Sequence, residues 1–233
     1  MDPGQEQNKD LLKQFDKYSH TLTVMAGNDE RFKKLTPEDI RNSWLSIPME
    51  EQRGILLLAQ LQEFFWKLQS RRPEEERKII DRDINRKGGD KSNFGKYVRR
   101  QMAIFEQMKQ NGEILGSYYI SQGGHTDLER DLDESGVDWI LQRPQDRAFV
   151  LVQSGTRPGD ARDKVRHFFQ KFGEKFNLTP FIGTYPILDD AKNIPSDDVL
   201  KERIRATISP TSTKGFTPNV ISSAFPSTRL GKF

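Results

Sequence analysis

The chain has 233 residues, no cysteine, three histidines and a formal net charge of +3 from 37 basic and 34 acidic side chains. Disulfides, thiolate nucleophiles and cysteine-based zinc sites are thereby excluded, and His20, His125 and His167 stand too far apart in sequence for a histidine-based metal site. No apolar run approaches the roughly 18–20 residues that cross a bilayer, and the start MDPGQEQNKD lacks the regions of a secretory signal, so a cytoplasmic (intracellular) or virion location without membrane contact is expected.

Residues 1–35 are polar with scattered apolar positions, and an N-terminal arm carrying at most a short helix is expected. Thr36-Pro37-Glu38-Asp39 combines a cap, a proline at the first helical position and acids in the first turn, which predicts a helix ending before Pro48. From Pro48 to about Gln69, Ile55, Leu58, Leu61, Phe65 and Leu68 recur at helical spacing and predict the principal core helix. Pro73 and three glutamates open another helix, Gly88-Gly89 breaks it, and a further helix follows in a hairpin-like arrangement.

Residues 71–110 hold twelve basic and seven acidic side chains. Arg71, Arg72, Arg86, Lys87, Lys91, Lys96, Arg99 and Arg100 lie near the helix ends and the connecting loop, where they offer contacts to a phosphate backbone. The other reading of the same residues is a solvated helix surface with internal ion pairs.

After Gly112 the pattern changes to that of a sheet. EILGSYYI alternates as a strand does; Thr126 to Glu129 opens a short acidic helix as a capping box; VDWIL (137–141) and AFVLVQ (148–153) read as a hairpin about Pro144-Gln145-Asp146. A helix over Asp160 to Phe176, a strand in FIGTYPI (181–187) and a last helix from Ser196 to about Ala206 complete the body. Residues 207–233 contain three prolines and no acid, as an extended basic arm does. The expected fold is α+β or α/β. A helix-rich N-terminal half packs on a small mixed sheet flanked by helices, divided as an arm (1–35), a helical region (36–111), an α/β core (112–206) and a C-terminal arm (207–233).

The segment ERDLDESGVDWILQRPQDRAFVLVQSGTRPGDARDKVRHFF runs acidic helix, Ser-Gly, aspartate-bearing strand, turn, apolar strand with a polar end, loop and helix. In this it resembles the PD-(D/E)xK nuclease superfamily, with the match confined to about residues 129–176. The resemblance implies Mg²⁺-dependent hydrolysis of phosphodiesters, a chemistry that needs clustered carboxylates, a polarised water and a cation beside the phosphate. It assigns Asp138 as the metal-binding aspartate, with Glu129 or Glu134 adding a carboxylate from the preceding helix. Gln153 falls at the family's second metal-ligand position or at its lysine position. No Glu-x-Lys is present, since the run is Leu151-Val152-Gln153-Ser154-Gly155, and Lys164 or Arg157 has to supply the cation. Arg157 and Arg162 extend the nucleic-acid surface.

These features predict a nucleic-acid-binding protein, for DNA or RNA, with an endonuclease-like core. The rival is a structural assembly protein, such as a viral or phage nucleocapsid, capsid-associated or connector component, in which the C-terminal arm joins subunits into a homo-oligomer. Its support is the polar N-terminus, the arm ending RLGKF and the incomplete catalytic motif.

Overall fold

The structure is a computed structural model that describes residues 3–27, 37–44, 48–121, 127–134, 136–155, 182–188, 194–213 and 215–216. The fold is mixed α and β, and it divides into two compact units, one of Met1–Lys67 with Thr217–Phe233 and one of Leu68–Phe216. The helices of residues 73–110 share a hydrophobic core with the sheet in the second unit.

In the first unit lie α1 (Pro3–Gly27), α2 (Pro37–Trp44) and most of α3 (Met49–Ser70). The expected N-terminal arm is thus a 25-residue helix. Its apolar stripe is sparse, which makes it hard to read, but Leu11, Phe15 and Leu22 are all buried and the Phe15 ring sits 4.7 Å from that of Trp44. Thr21 Oγ1 donates to Glu63 Oε1 at 2.7 Å, tying α1 to α3.

The second unit contains α4 (Pro73–Arg86), α5 (Asn93–Gln110), β1 (Gly116–Tyr119), α6 (Asp127–Glu134), β2 (Trp139–Gln142), β3 (Phe149–Gly155), β4 (Ile182–Pro186) and α7 (Asp197–Ile208). Local chemistry explains the helix starts. Pro73 and the acids Glu74, Glu75 and Glu76 occupy the first turn of α4, whereas Ser92 caps α5 by accepting from the Gly95 amide at 3.0 Å. Ser196 caps α7 in the same way through Val199.

The sheet runs in the order β1-β2-β3-β4, antiparallel between the first three strands and parallel between β3 and β4. A parallel neighbour requires a crossover connection; the residues that make it, with the helix expected over Asp160 to Phe176, lie outside the described residues. Register places Tyr119, Trp139 and Val152 side by side on one face. Ile84 of α4, Phe105 of α5 and Ile204 of α7 pack against that face, and the Phe105 and Tyr119 rings meet Trp139 edge-on at 5.0 and 5.1 Å.

Side chains take some of the outward backbone groups at both sheet edges. The outward Tyr119 amide on β1 donates to Glu76 Oε1. On β4, Thr207 Oγ1 donates to Thr184 O at 3.1 Å, and Arg203 Nη1 donates to Pro186 O at 2.9 Å and Leu188 O at 3.2 Å. Groups so occupied do not template another strand.

The start of the expected C-terminal arm belongs to the body. Thr207 and Ile208 close α7, Thr213 Oγ1 donates back to Thr207 O at 2.8 Å, and Phe149 and Phe216 exchange backbone hydrogen bonds of 2.8 and 2.6 Å. Residues 217–233 lie outside the described residues. None of the described helices is long and apolar enough to cross a membrane.

Candidate functional site

Asp138 immediately precedes β2, and its amide donates to Val152 O at 2.9 Å although Val152 is already the register partner of Trp139. Two residues against one is the pattern of a β-bulge, which re-aims the side chain of the extra residue. The Asp138 carboxylate is turned to the Trp139 face, where its Oδ2 accepts from both the amide (2.7 Å) and the hydroxyl (2.8 Å) of Ser154. Gln153, next to Ser154 on the strand, points to the other face by simple alternation. It is 0% exposed, and neither Oε1 nor Nε2 has a hydrogen-bond partner.

The expected meeting of Asp138 with Gln153 therefore does not occur, because the sheet lies between the two side chains. Glu129 is directed elsewhere: it is 2% exposed and its Oε1 lies 3.7 Å from Arg71 Nη2. Glu134 is exposed at the end of α6. Among the described residues, no group of three or more carboxylate or imidazole side chains is arranged to hold a metal ion. Lys164, Arg157 and Arg162 lie outside the described residues.

What does surround Asp138 is a cavity of about 220 Å³ between α5, the α4–α5 turn and the sheet. Asp133 and Lys87 share its wall with Asp138, and Phe94, Tyr97 and Tyr119 supply rings. Tyr119 keeps its proton far into the alkaline range: burial raises its pKa most, and the carboxylates of Asp83, Asp138 and Asp133 add to that. Tyr185 is held protonated chiefly by burial, its hydroxyl donating to Gln101 Oε1 at 2.6 Å. Neither phenol is set up as a base. Sequence reasoning missed this cavity because Tyr97 and Lys87 come from the helical half and only the bulge brings Asp138 to them.

The eight basic candidates of residues 71–100 separate into two groups. All five arginines meet carboxylates within the fold. Arg71 bonds Glu76 at 2.8 Å, Arg72 lies 3.6 Å from Glu75, and Arg86 lies 3.5 Å from Asp83. Arg99 takes both Asp81 (2.7 Å) and Asp90 (2.8 Å), and Arg100 reaches Asp197 at 2.7 Å and the carbonyl of Pro195. Lys87, Lys91 and Lys96 are exposed, and among the described residues none of them forms an ion pair. Lys87 leans over the Phe94 ring at 4.9 Å.

These three lysines flank one tight turn. Gly88 and Gly89 have φ of +100° and +77°, and a Cβ on Gly95 would lie 2.4 Å from Gly89 O, so the turn folds directly onto the first helical turn of α5. That helix start carries no acid, leaving its amide dipoles to add to the lysine charge. Gly95→Ala is expected to push the turn away and cost about 1–3 kcal/mol, read as a lower urea midpoint. Unchanged stability would mean that the close approach is not needed.

Compared with protein-family models, with curated proteins and with solved structures, the chain matches none.

Proposed function

We propose that this chain binds nucleic acid through the α4–α5 turn, and that its resemblance to the PD-(D/E)xK nucleases concerns the strand-and-helix scaffold and not metal-dependent cleavage. The observation that carries the reading is the sorting of the basic residues: the five arginines are engaged within the fold, while Lys87, Lys91 and Lys96 are exposed at and beside one turn, whose Asp90 is taken by Arg99, and the first turn of α5 carries no acid. Phosphate is the ligand such a site attracts, and each neutralised phosphate releases counterions.

The reading has no cleavage because hydrolysis on this scaffold needs a ligand set that Asp138 does not find among the described residues: Gln153 is on the opposite face and Glu129 is beside Arg71. With Mg²⁺ present, the wild type is expected to leave DNA and RNA strands uncut. Mg²⁺-dependent cleavage that disappears in Asp138→Ala would overturn this part of the reading. Assembly through a C-terminal arm concerns residues 217–233, which lie outside the described residues.

Binding is tested by its salt dependence. Three phosphate contacts give a slope of log K against log[salt] of about −2 to −3. Replacing Lys87, Lys91 and Lys96 together by glutamine is expected to bring the slope close to zero, whereas Arg100→Gln, which removes a residue held by Asp197, leaves it unchanged. An unaltered slope in the lysine variant would sink the assignment.

A further inference from the structure

The first half of α4, the second half of α5 and β1 enclose a second cavity, of about 430 Å³. That size falls within the roughly 300–1,000 Å³ of pockets for drug-sized ligands. Its apolar lining comes from Ile80 of α4, Met102 and Ala103 of α5, Leu115 before β1 and Trp139 of β2. Leu115 is 46% exposed and Ala103 is exposed too, so the apolar lining reaches the surface.

One wall is a strand edge. β1 is an outer strand of the sheet, and its backbone groups turn by alternation to β2 or outward. Tyr119 turns outward the amide that Glu76 takes. Two residues back along the same edge, Ser117 therefore turns outward its own N–H and C=O, and no group among the described residues bonds them. Glu76 and Ser117 both line the cavity. The charge at its mouth is also uneven. Glu76 is taken by Arg71 and the Tyr119 amide, and Glu106 by Lys109 at 2.7 Å. Arg77 lines the cavity, is exposed and forms no ion pair among the described residues.

A backbone donor and acceptor left over beside an apolar hollow suit an extended peptide: main-chain bonds hold it and one side chain fills the hollow. In an antiparallel pairing the residue opposite Ser117 exchanges both bonds with it and points to the same face of the sheet. That is the face on which Tyr119, Trp139 and Ile80 pack. Guest residues two positions to either side share this face, and an acid there is attracted to Arg77.

We propose that β1 takes up an extended segment of a partner polypeptide, in which an apolar residue is flanked two positions away by acids. The proposal does not rest on the lysine turn, which lies beyond the other end of α4.

The test is the fluorescence anisotropy of a labelled, end-blocked peptide Glu-Thr-Leu-Thr-Glu titrated with the full chain, which is expected to bind it. Methylating the leucine amide removes the donor that meets Ser117 O and is expected to weaken binding about tenfold. Ser117→Pro removes the outward donor of β1 without breaking a ladder bond, as an edge strand allows, and is expected to act likewise. Ala103→Trp fills the cavity from an exposed helix position and abolishes binding. Arg77→Gln weakens binding about threefold, while Gln-Thr-Leu-Thr-Gln binds that variant and the wild type alike. The triple glutamine variant of the lysine turn binds the peptide as the wild type does. No binding by the wild type, equal affinity for the methylated peptide, or binding that survives Ala103→Trp overturns the proposal. If Ser117→Pro fails to fold, the methylated peptide decides, since it leaves the protein untouched.

Discussion

Arg143→Ala is expected to lower the stability of the Leu68–Phe216 unit by about 2–4 kcal/mol, chiefly from the two buried carbonyls that lose their donor. Arg143 is 2% exposed and sits at the end of β2, where it holds four acceptors at once. Its Nε and Nη2 donate to the two oxygens of Asp146 at 2.7 and 2.6 Å, closing the β2–β3 turn. Its Nη1 donates to Ile208 O at 3.0 Å and Thr213 O at 2.6 Å, anchoring the end of α7 and the segment after it. Alanine leaves two buried carbonyls without donors, at about 1–3 kcal/mol each, and a cavity where the guanidinium was. Arg143→Lys recovers little, because one ammonium cannot reproduce the fork. The check is the urea midpoint at unchanged m; a loss below about 1 kcal/mol would show that these bonds matter little.

The same residue sets a pH dependence. Its guanidinium is the first cause holding the Asp146 carboxyl below the ordinary value of 3.8, ahead of the opposing effect of burial. A carboxyl with a depressed folded pKa stabilises the fold above its unfolded value and loses that contribution as pH falls through the folded one. Glu113, lowered first by its hydrogen bond from Arg205, acts in the same direction. Stability is therefore expected to fall with acidification below about pH 4. The gap between wild type and Arg143→Ala should narrow over that window, since Asp146 no longer contributes in either. A gap that stays constant down to pH ~2 would refute the coupling.

Much of the architecture was legible because it depends on local signals. The runs VDWIL and AFVLVQ pair as the expected hairpin, FIGTYPI supplies β4, and the proline, serine and glycine punctuation marks the ends of α4, α5 and α7. What was not legible depends on partners distant in sequence. Leu11, Phe15 and Leu22 look scattered until Trp44 is placed against them. The basic excess of residues 71–110 looks like a uniform phosphate surface until Asp197, about a hundred positions away, takes Arg100 and Glu129 takes Arg71. The bulge at Asp138 is the decisive case. Alternation along two ideal strands aims Asp138 and Gln153 at one face, and one extra residue in the ladder undoes this, with nothing in VDWIL to announce it.

Gln153 offers the sharpest discrimination between the two geometries, through a pair of substitutions with opposite expected signs. An amide with both polar atoms buried and unpartnered carries an unrecovered desolvation cost of about 1–3 kcal/mol. Gln153→Met, of similar length and volume, removes that cost and is expected to stabilise the fold by up to about that amount. Gln153→Lys restores the residue that the nuclease comparison finds missing. If the side chain faced Asp138, the new ammonium would gain a carboxylate partner, and the variant would fold well and open a route to cleavage. Facing away from it, the ammonium has no counter-charge from Asp138, and the buried cation is expected to cost at least about 3 kcal/mol. The cost should relax at alkaline pH: burial lowers a lysine pKa, so the neutral amine becomes the folded form as pH rises. A stable Gln153→Lys that cleaves DNA with Mg²⁺ would show that the two residues share a face after all.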